Sequence, residues 1–481
     1  MGAGLSGISM AAHLKMMCPD SSFTVLERRD TLGGTWDLFR YPGVRSDSDM
    51  HTLGFRFEPW KHEDAIADGP AILDYLHDTV TKRGIAGHIR YGTRVISADW
   101  EESAALWRIA AEGPDGPWET TARWLYLASG YYDYDEPFDA QIPGLADFGG
   151  QVLHPQFWPG DLDYSGKRVV VIGSGATAVT IVPAMADKAA HVTMLQRTPT
   201  WMASGPRRDR LGKWLERKLP DKLAYRLTRW KNIALRSYIF RLSRRNPEKL
   251  ADRLREWLHR DLGEKYSADN FEPPYNPWEQ RLCLVPDGDL FNAIRSGKAS
   301  VVTARIRGFD AEGVLLENGE HLPADIVVTA TGLRLVIGGK IAITTGGRPI
   351  DFAEHFFYRG CMFSNVPNLS VVFGYLNASW TLRADNNSDY VCRVLNEMAR
   401  VGAVSARPAL SAENEPEEVV PFDYSSGYLQ RALSLMPKNG PELPWRLNHD
   451  YFADSLDFRT RPVADGIMRF DKIQTGVQEA A

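Results

Sequence analysis

Phe148-Gly149-Gly150-Gln151-Val152-Leu153-His154-Pro155-Gln156-Phe157-Trp158-Pro159 leads, within ten residues, to Val169-Val170-Val171-Ile172 and Gly173-Ser174-Gly175-Ala176-Thr177-Ala178. The second part predicts a buried strand, a glycine turn and a helix start, which together seat a dinucleotide pyrophosphate on a helix N-terminus. A matching loop, Gly2-Ala3-Gly4-Leu5-Ser6-Gly7, leads into a helix predicted over residues 8–17. Two such loops, joined by an aromatic and histidine-bearing connector, predict two dinucleotides meeting at an interdomain cleft.

The two loops differ in the residues at the end of the next strand. After the first, Phe23-Thr24-Val25-Leu26 predicts a strand ending at Glu27, 20 residues past Gly7, the register at which a carboxylate grips ribose hydroxyls. After the second, a helix is expected through Val182 despite Pro183, then a strand over Val192-Thr193-Met194-Leu195. The place of Glu27 is now taken by Arg197, with Thr198 beside it. An acid there would repel a 2′-phosphate, whereas arginine clamps one bidentately. The first loop therefore predicts FAD and the second NADP. A strand should precede Gly2, and none stands before it in this sequence. The expectation is that the first strand of the FAD domain is missing, its neighbours losing about 1–3 kcal/mol per unpaired buried group, with FAD held poorly.

At 481 residues the chain exceeds the size of one core. Its 44 % hydrophobic and 24 % charged residues suit a folded globular protein, and a net charge of −5 is too small to imply a nucleic-acid or strongly acidic partner for the whole surface. From Pro206 to Arg245 there are 14 Lys/Arg against 3 Asp/Glu, a local +11 that leaves −16 elsewhere. Within it Leu211, Leu215, Leu219, Leu223, Leu227, Trp230, Ala234 and Tyr238 recur near helical spacing, divided by Pro220. A basic amphipathic segment over 206–260 carrying Trp and Tyr can lie on an anionic membrane. The reading preferred from sequence is an insertion whose apolar face packs on its own domain. Cys18, Cys283, Cys361 and Cys392 form no C-x-x-C pair, so reduced thiols in a cytoplasmic enzyme without a metal site are expected.

Gly33-Gly34-Thr35-Trp36-Asp37-Leu38-Phe39-Arg40-Tyr41-Pro42-Gly43-Val44-Arg45-Ser46-Asp47 is too rich in glycine, proline and mixed charge for a packed helix or strand. It reads as a site loop beside the first dinucleotide. Strands are expected around Val95, Trp107 and Trp124–Leu127, and a buried parallel one over Ala324–Gly332. Gly374–Trp380 leads into a helix to about Met398, capped by Asn377 or Ser379. The fold class expected is α/β, with two Rossmann-like, doubly wound domains. The first part of the FAD domain spans 1–144 and the connector 145–166. The NADP domain spans 167–334 with a helical insertion over about 206–265, and the second part of the FAD domain spans 335–481.

These pieces resemble the class B flavoprotein monooxygenases, and within them the Baeyer–Villiger monooxygenases. That family's fingerprint, F-x-G-x-x-x-H-x-x-x-W-P/D, is matched by Phe148, Gly150, His154, Trp158 and Pro159. The runs 33–55, 276–291 and 377–385 look most like the ethionamide-activating subgroup. The resemblance implies that NADPH reduces FAD and that O2 adds at flavin C4a. The resulting peroxide converts a ketone to an ester or lactone and oxidises sulfides. Arg281 matches the family's catalytic arginine and Asp47 the aspartate that orients it. Ser6, Thr35 and Trp36 match flavin-binding positions, and Arg197 and Thr198 the phosphate clamp. Gly2, Gly4, Gly7, Glu27, Gly34, Asp37, Leu38, Arg45, Ser46, Val95, Gly173–Ala178 and Val179 complete the expected cofactor-binding set. Many members carry lysine where this chain has Gln280, which implies a weaker preference for NADPH over NADH. The rival readings are a mainly S- or N-oxygenating relative and, given the missing first strand, a flavin-poor, catalytically silent binding protein on a membrane.

Overall fold

The computed structural model describes residues 1–421 and 424–472. The middle of the chain builds a five-stranded, all-parallel sheet in the order Ala299–Thr303, His191–Gln196, Arg168–Ile172, Ile326–Thr329, Gln151–Leu153. Its central strands are continuous β-branched runs because both faces are covered. Val169 and Val171 pack with the helices Ala176–Met185 and Asp289–Arg295. Val170 and Ile172 face the other way, onto Phe309, Val314 and Leu322 of an antiparallel meander. Pro183 sits inside its helix without ending it.

The flanking segments form a second body. Val25–Leu26 pairs with Ile89–Arg90, and Leu125–Leu127 with Leu369–Val371. Met1 and Gly2 lie between these ribbons: the Gly2 N–H donates to Leu26 O at 2.8 Å, and the Ala128 N–H to Met1 O at 2.9 Å. The expected strand over Phe23–Leu26 shortens to its last two residues, because Phe23 stacks on His88 at 4.2 Å and makes no ladder. Residues after 335 return to this body, where Ala342–Thr345 pairs with Ser97–Trp100. The helix Trp380–Val401 lies against Leu5–Met17, joined by the Ser9 hydroxyl donating to Asp385 at 2.9 Å.

Three expectations are corrected. The stretch 33–47 does hold helix, one turn over Thr35–Leu38. Neither candidate caps the helix that begins at Trp380: Ser379 stands at the N-cap with no side-chain cap bond. Its hydroxyl is engaged with Thr52 Oγ1 at 2.7 Å, and the Asn377 amide donates to His449 O at 2.9 Å. The insertion comprises three helices, Arg210–Lys218, Asp221–Arg245 and Pro247–Leu262. The apolar stripe of the first two is not packed on its own domain. Leu211, Leu223, Leu227 and Tyr238 are exposed, and the inward face of Asp221–Arg245 docks on residues 49–55 of the other body instead. Among the described residues no helix is long and apolar enough to cross a membrane.

One buried group makes stability depend on pH. Neither ring nitrogen of His449 has a partner among the described residues. Burial, then the charges of Arg383 and Arg446, push its pKa down from 6.5 to about 3. The unfolded state takes up a proton near its ordinary value while the folded state does not, so stability falls as pH drops from about 6.5 towards 3. Denaturation midpoints measured across that window should show a shallower acid slope for His449→Gln than for the wild type. Parallel slopes would remove His449 from the account.

Candidate functional site

Both glycine loops are built alike. Gly2 has φ +99° and Gly173 φ +136°, conformations that L side chains rarely adopt. A Cβ at either would meet a strand-end carbonyl, Ala128 O at 2.6 Å or Ala330 O at 2.3 Å. The second glycines differ in surroundings. A Cβ on Gly4 would meet the Gly34 backbone at 3.5 Å, whereas one on Gly175 would meet nothing within 4 Å. Glu27 lies at the end of Val25–Leu26, buried, with its carboxylate accepting the N–H groups of Ala3 at 2.6 Å and Arg29 at 2.9 Å.

One cavity of about 410 Å³ runs from this loop to the second domain. It gathers Gly2, Gly4, Ser6, Glu27, Gly34, Thr35, Trp36, Arg45, Ser46, Asp47, Val95, Ala176, Thr177 and Arg281 from the residues expected in the site. Residues 41–44 pass directly over the second helix: a Cβ on Gly43 (φ +75°) would reach Ala184 Cβ at 2.7 Å and Thr180 O at 3.0 Å. Arg45 crosses to the other body, paired with Asp289 at the start of its helix. Ser46 is buried and pairs with Ala67 through backbone and hydroxyl.

Arg281 stands just before the strand Cys283–Pro286, which is fixed in register against Met202–Gly205. Its Nη1 donates to Asp47 Oδ2 at 2.6 Å, and 37 % of its side chain stays open to the cavity. The Asp47 carboxylate holds the guanidinium well above its ordinary pKa, against the opposing effect of burial. The arrangement is a permanent cation, aimed by a carboxylate and facing the cavity.

Several expected residues lie elsewhere. Asp37 is buried between Arg29 and Arg40 and does not line the cavity, because two guanidiniums compete for its carboxylate. Leu38, Ala178 and Val179 are core. Gly7 packs beneath its loop against Gly2 O. Gly173, Ser174, Gly175, Arg197 and Thr198 sit at the second loop, outside the cavity lining. There the Ser174 hydroxyl contacts Thr200 Oγ1 at 2.8 Å and Thr198 O at 3.1 Å. Arg197 is exposed and has no side-chain partner among the described residues.

The connector is a packing device. Phe148 is buried against Phe309, and a Cβ on Gly150 would strike Asp325 O at 2.5 Å and the Phe148 ring at 2.6 Å. Only glycine fits. The His154 ring accepts the Gln156 N–H at 3.2 Å at the start of a short 3₁₀ turn, and burial lowers its pKa. Gln156 donates onward to Asp133 O at 2.7 Å, tying the connector to the cavity wall. Trp158 packs against the core of the parallel-sheet domain, with Pro159 after it half-buried.

Sequence reasoning missed three aromatic residues of the cavity lining, Trp380, Tyr131 and Tyr132. Trp380 donates from Nε1 to Ser6 Oγ at 2.8 Å, and its ring stacks on Tyr131 at 4.8 Å and 10°. The Tyr131 and Tyr132 hydroxyls are 2.6 Å apart, and burial holds both phenols protonated. Tyr131 comes four residues after Leu127, the end of an expected strand, which was the one available signal.

Comparison with known proteins agrees with this geometry. Residues 66–337 match the family described as flavin-binding monooxygenase-like, and residues 1–63 match an NAD(P)-binding Rossmann-like domain. The chain is 47 % identical over 477 residues to the FAD-containing monooxygenase EthA of Mycobacterium tuberculosis, covering 98 % of this chain and 97 % of the relative. It is 44 % identical to the probable FAD-binding monooxygenase AlmA of Acinetobacter baylyi, covering 98 % and 95 %. In fold it is similar to oxidized steroid monooxygenase bound to NADP, with a TM-score of 0.76, 21 % identity and 98 % of each chain covered. A cyclohexanone monooxygenase structure gives 0.72 at 22 % identity, again over 98 % of each chain.

Proposed function

From the premise that the chain belongs to the flavin-binding monooxygenase-like family, we propose that it is a Baeyer–Villiger-type oxygenase that also oxidises sulfides. A ketone, O2, NADPH and a proton would give an ester or lactone, NADP+ and water. The observation that carries this reading is the Arg281–Asp47 pair, open to a cavity lined from both glycine loops.

The residues fit both cofactors. Gly2 and Gly4 supply a cradle without side chains, and Gly4 approaches Gly34 closely enough that a Cβ on Gly34 would come within 3.1 Å. Glu27 is placed for ribose hydroxyls, while Ser6, Thr35 and Trp36 line the inner end of a FAD site. The second loop fits NADPH, with Thr198 and Arg197, which has no side-chain partner among the described residues, beyond it for the 2′-phosphate. When bound, FAD reduced by NADPH supplies the activation of O2.

What the chain adds is a fixed positive charge. Oxygen attack on a carbonyl places negative charge on the former carbonyl oxygen, and a preorganised cation in a water-poor space stabilises it without reorganising. Arg281 is such a cation, and Asp47 sets its direction. Connector packing through Gly150 and Gln156 holds the two bodies in register around the cavity.

The test is product analysis of the NADPH-fed enzyme with a ketone series and a thioether. Ester or lactone formation coupled to NADPH use supports the reading. Sulfoxide alone, with every ketone returned unchanged, would replace it with an S-oxygenating enzyme. For the cofactor site, Arg197→Ala should raise KM for NADPH about tenfold or more, since a hydrogen bond to a charged group is worth about 1.5–3 kcal/mol. KM for NADH should hold. An equal change for both nucleotides would detach Arg197 from the 2′-phosphate.

A further inference from the structure

The first two helices of the insertion carry large apolar side chains outward, whereas the third buries Leu250, Leu254 and Leu258. On Asp221–Arg245 the buried face mixes Ala224, Tyr225 and Ile233 with Thr228, Arg229 and Asn232. Leu223, Leu227, Trp230, Leu235 and Tyr238 are each between 43 % and 65 % exposed. The preceding helix adds Leu211 and Trp214, both more than half exposed. Polar bonds lock this orientation. Arg229 donates to His51 O and Gly54 O, each at 2.7 Å, and pairs with Asp385, while the Tyr225 hydroxyl donates to Phe55 O at 2.9 Å. Rotating the helix would strand a buried guanidinium, which costs several kcal/mol.

Charge says what covers the patch. Arg207, Arg208, Lys231 and Arg236 are paired with carboxylates of the protein. Arg210, Arg217, Lys218, Lys222, Arg226 and Arg245 are exposed and have no side-chain partner among the described residues. A second copy seated through the same face would set these unpaired cations against their own counterparts, because a two-fold contact is self-complementary. An anionic surface has no such penalty. Trp and Tyr among aliphatic residues, rimmed by Lys and Arg whose stems can snorkel, are the residue types that settle at a lipid headgroup layer.

We propose that this face docks on an anionic phospholipid bilayer, with the helices Arg210–Lys218 and Asp221–Arg245 lying along its surface. The docked element is one layer from the reacting site. Phe240, on the same long helix, meets the Trp278 ring edge-on at 5.7 Å, three residues before Arg281.

Sedimentation with vesicles tests this without any turnover, so its outcome is independent of the reaction assigned above. The full-length holoenzyme should pellet with vesicles of equal phosphatidylglycerol and phosphatidylcholine at low salt, and remain in solution with phosphatidylcholine alone. Added salt should release it, since exposed charges are screened within about 10 Å at 0.1 M. Lys218→Glu with Lys222→Glu, and separately Leu223→Ser with Leu227→Ser, should each lower the partition coefficient about tenfold or more, given roughly 1 kcal/mol per basic residue near such a surface. Both double variants should keep the wild-type melting temperature and flavin content. No pelleting with anionic vesicles would overturn the proposal. So would an oligomer in lipid-free solution that the leucine variants dissociate, which would assign the face to a second copy of the chain.

Discussion

Arg281→Ala should stop ester formation while NADPH oxidation continues. Arg281 is exposed over a third of its side chain and lines the cavity, and its direction is set by Asp47 at 2.6 Å. Arg45, two residues from Asp47, is committed to Asp289 and is itself buried. Removing one preorganised electrostatic group from an enclosed site typically costs on the order of 10²–10³ in rate. The substitution should leave the fold intact, because the backbone around residue 281 is held by the parallel ladder that starts at Cys283 and by Cys283 N–H bonding to Trp201 O at 2.9 Å. Arg281→Lys should fall between the two, keeping the charge without the planar fork. The measurement is ester produced per NADPH consumed. Wild-type ester yield from the alanine variant would remove Arg281 from the reaction.

The parts of the site that were legible from sequence are those written in local spacing. Gly2, Gly4 and Gly7, then Glu27 in register, describe one βα turn and the next strand end, a geometry that needs no distant partner. The fingerprint was legible for the same reason: Gly150 is glycine because Phe148 and Asp325 O leave no room for a Cβ. Tyr131 and Trp380 were not legible, since they stack across 249 residues of sequence and neither carries a periodic signal. The insertion shows a different limit. Periodicity identified its apolar stripe correctly but could not say which side faces water, because that was decided by Arg229 finding carbonyls at 51 and 54 and a carboxylate at 385. Asp37 shows what spacing leaves out: a carboxylate beside a glycine loop reads as a ligand contact, and the ion pairs with Arg29 and Arg40 that hold it away from the cavity lining appear only in the fold.

Gly7→Ala and Gly175→Ala should separate folding of a dinucleotide loop from its use. A Cβ on Gly7 would lie 1.8 Å from Gly2 O. Gly2 cannot yield, since its N–H is bonded to Leu26 O at 2.8 Å and its own φ of +99° already sits beneath the Ala128 carbonyl. Relief must come from moving the helix Leu5–Met17 off its strand, an overpacking cost of about 1–3 kcal/mol, and that movement opens the FAD cradle. The variant should purify with little flavin and a lowered melting temperature. The second loop shows that the demand is local, because the corresponding position there is Ala178, fully buried and accommodated. Gly175 is the reverse case: an added methyl meets nothing within 4 Å and φ is −78°. The fold should therefore be unaffected, while the methyl occupies the space through which a pyrophosphate approaches the backbone, and KM for NADPH should rise with flavin content unchanged. A Gly7→Ala protein holding one flavin per chain at the wild-type melting temperature would show slack in the first loop that its 1.8 Å approach to Gly2 O denies.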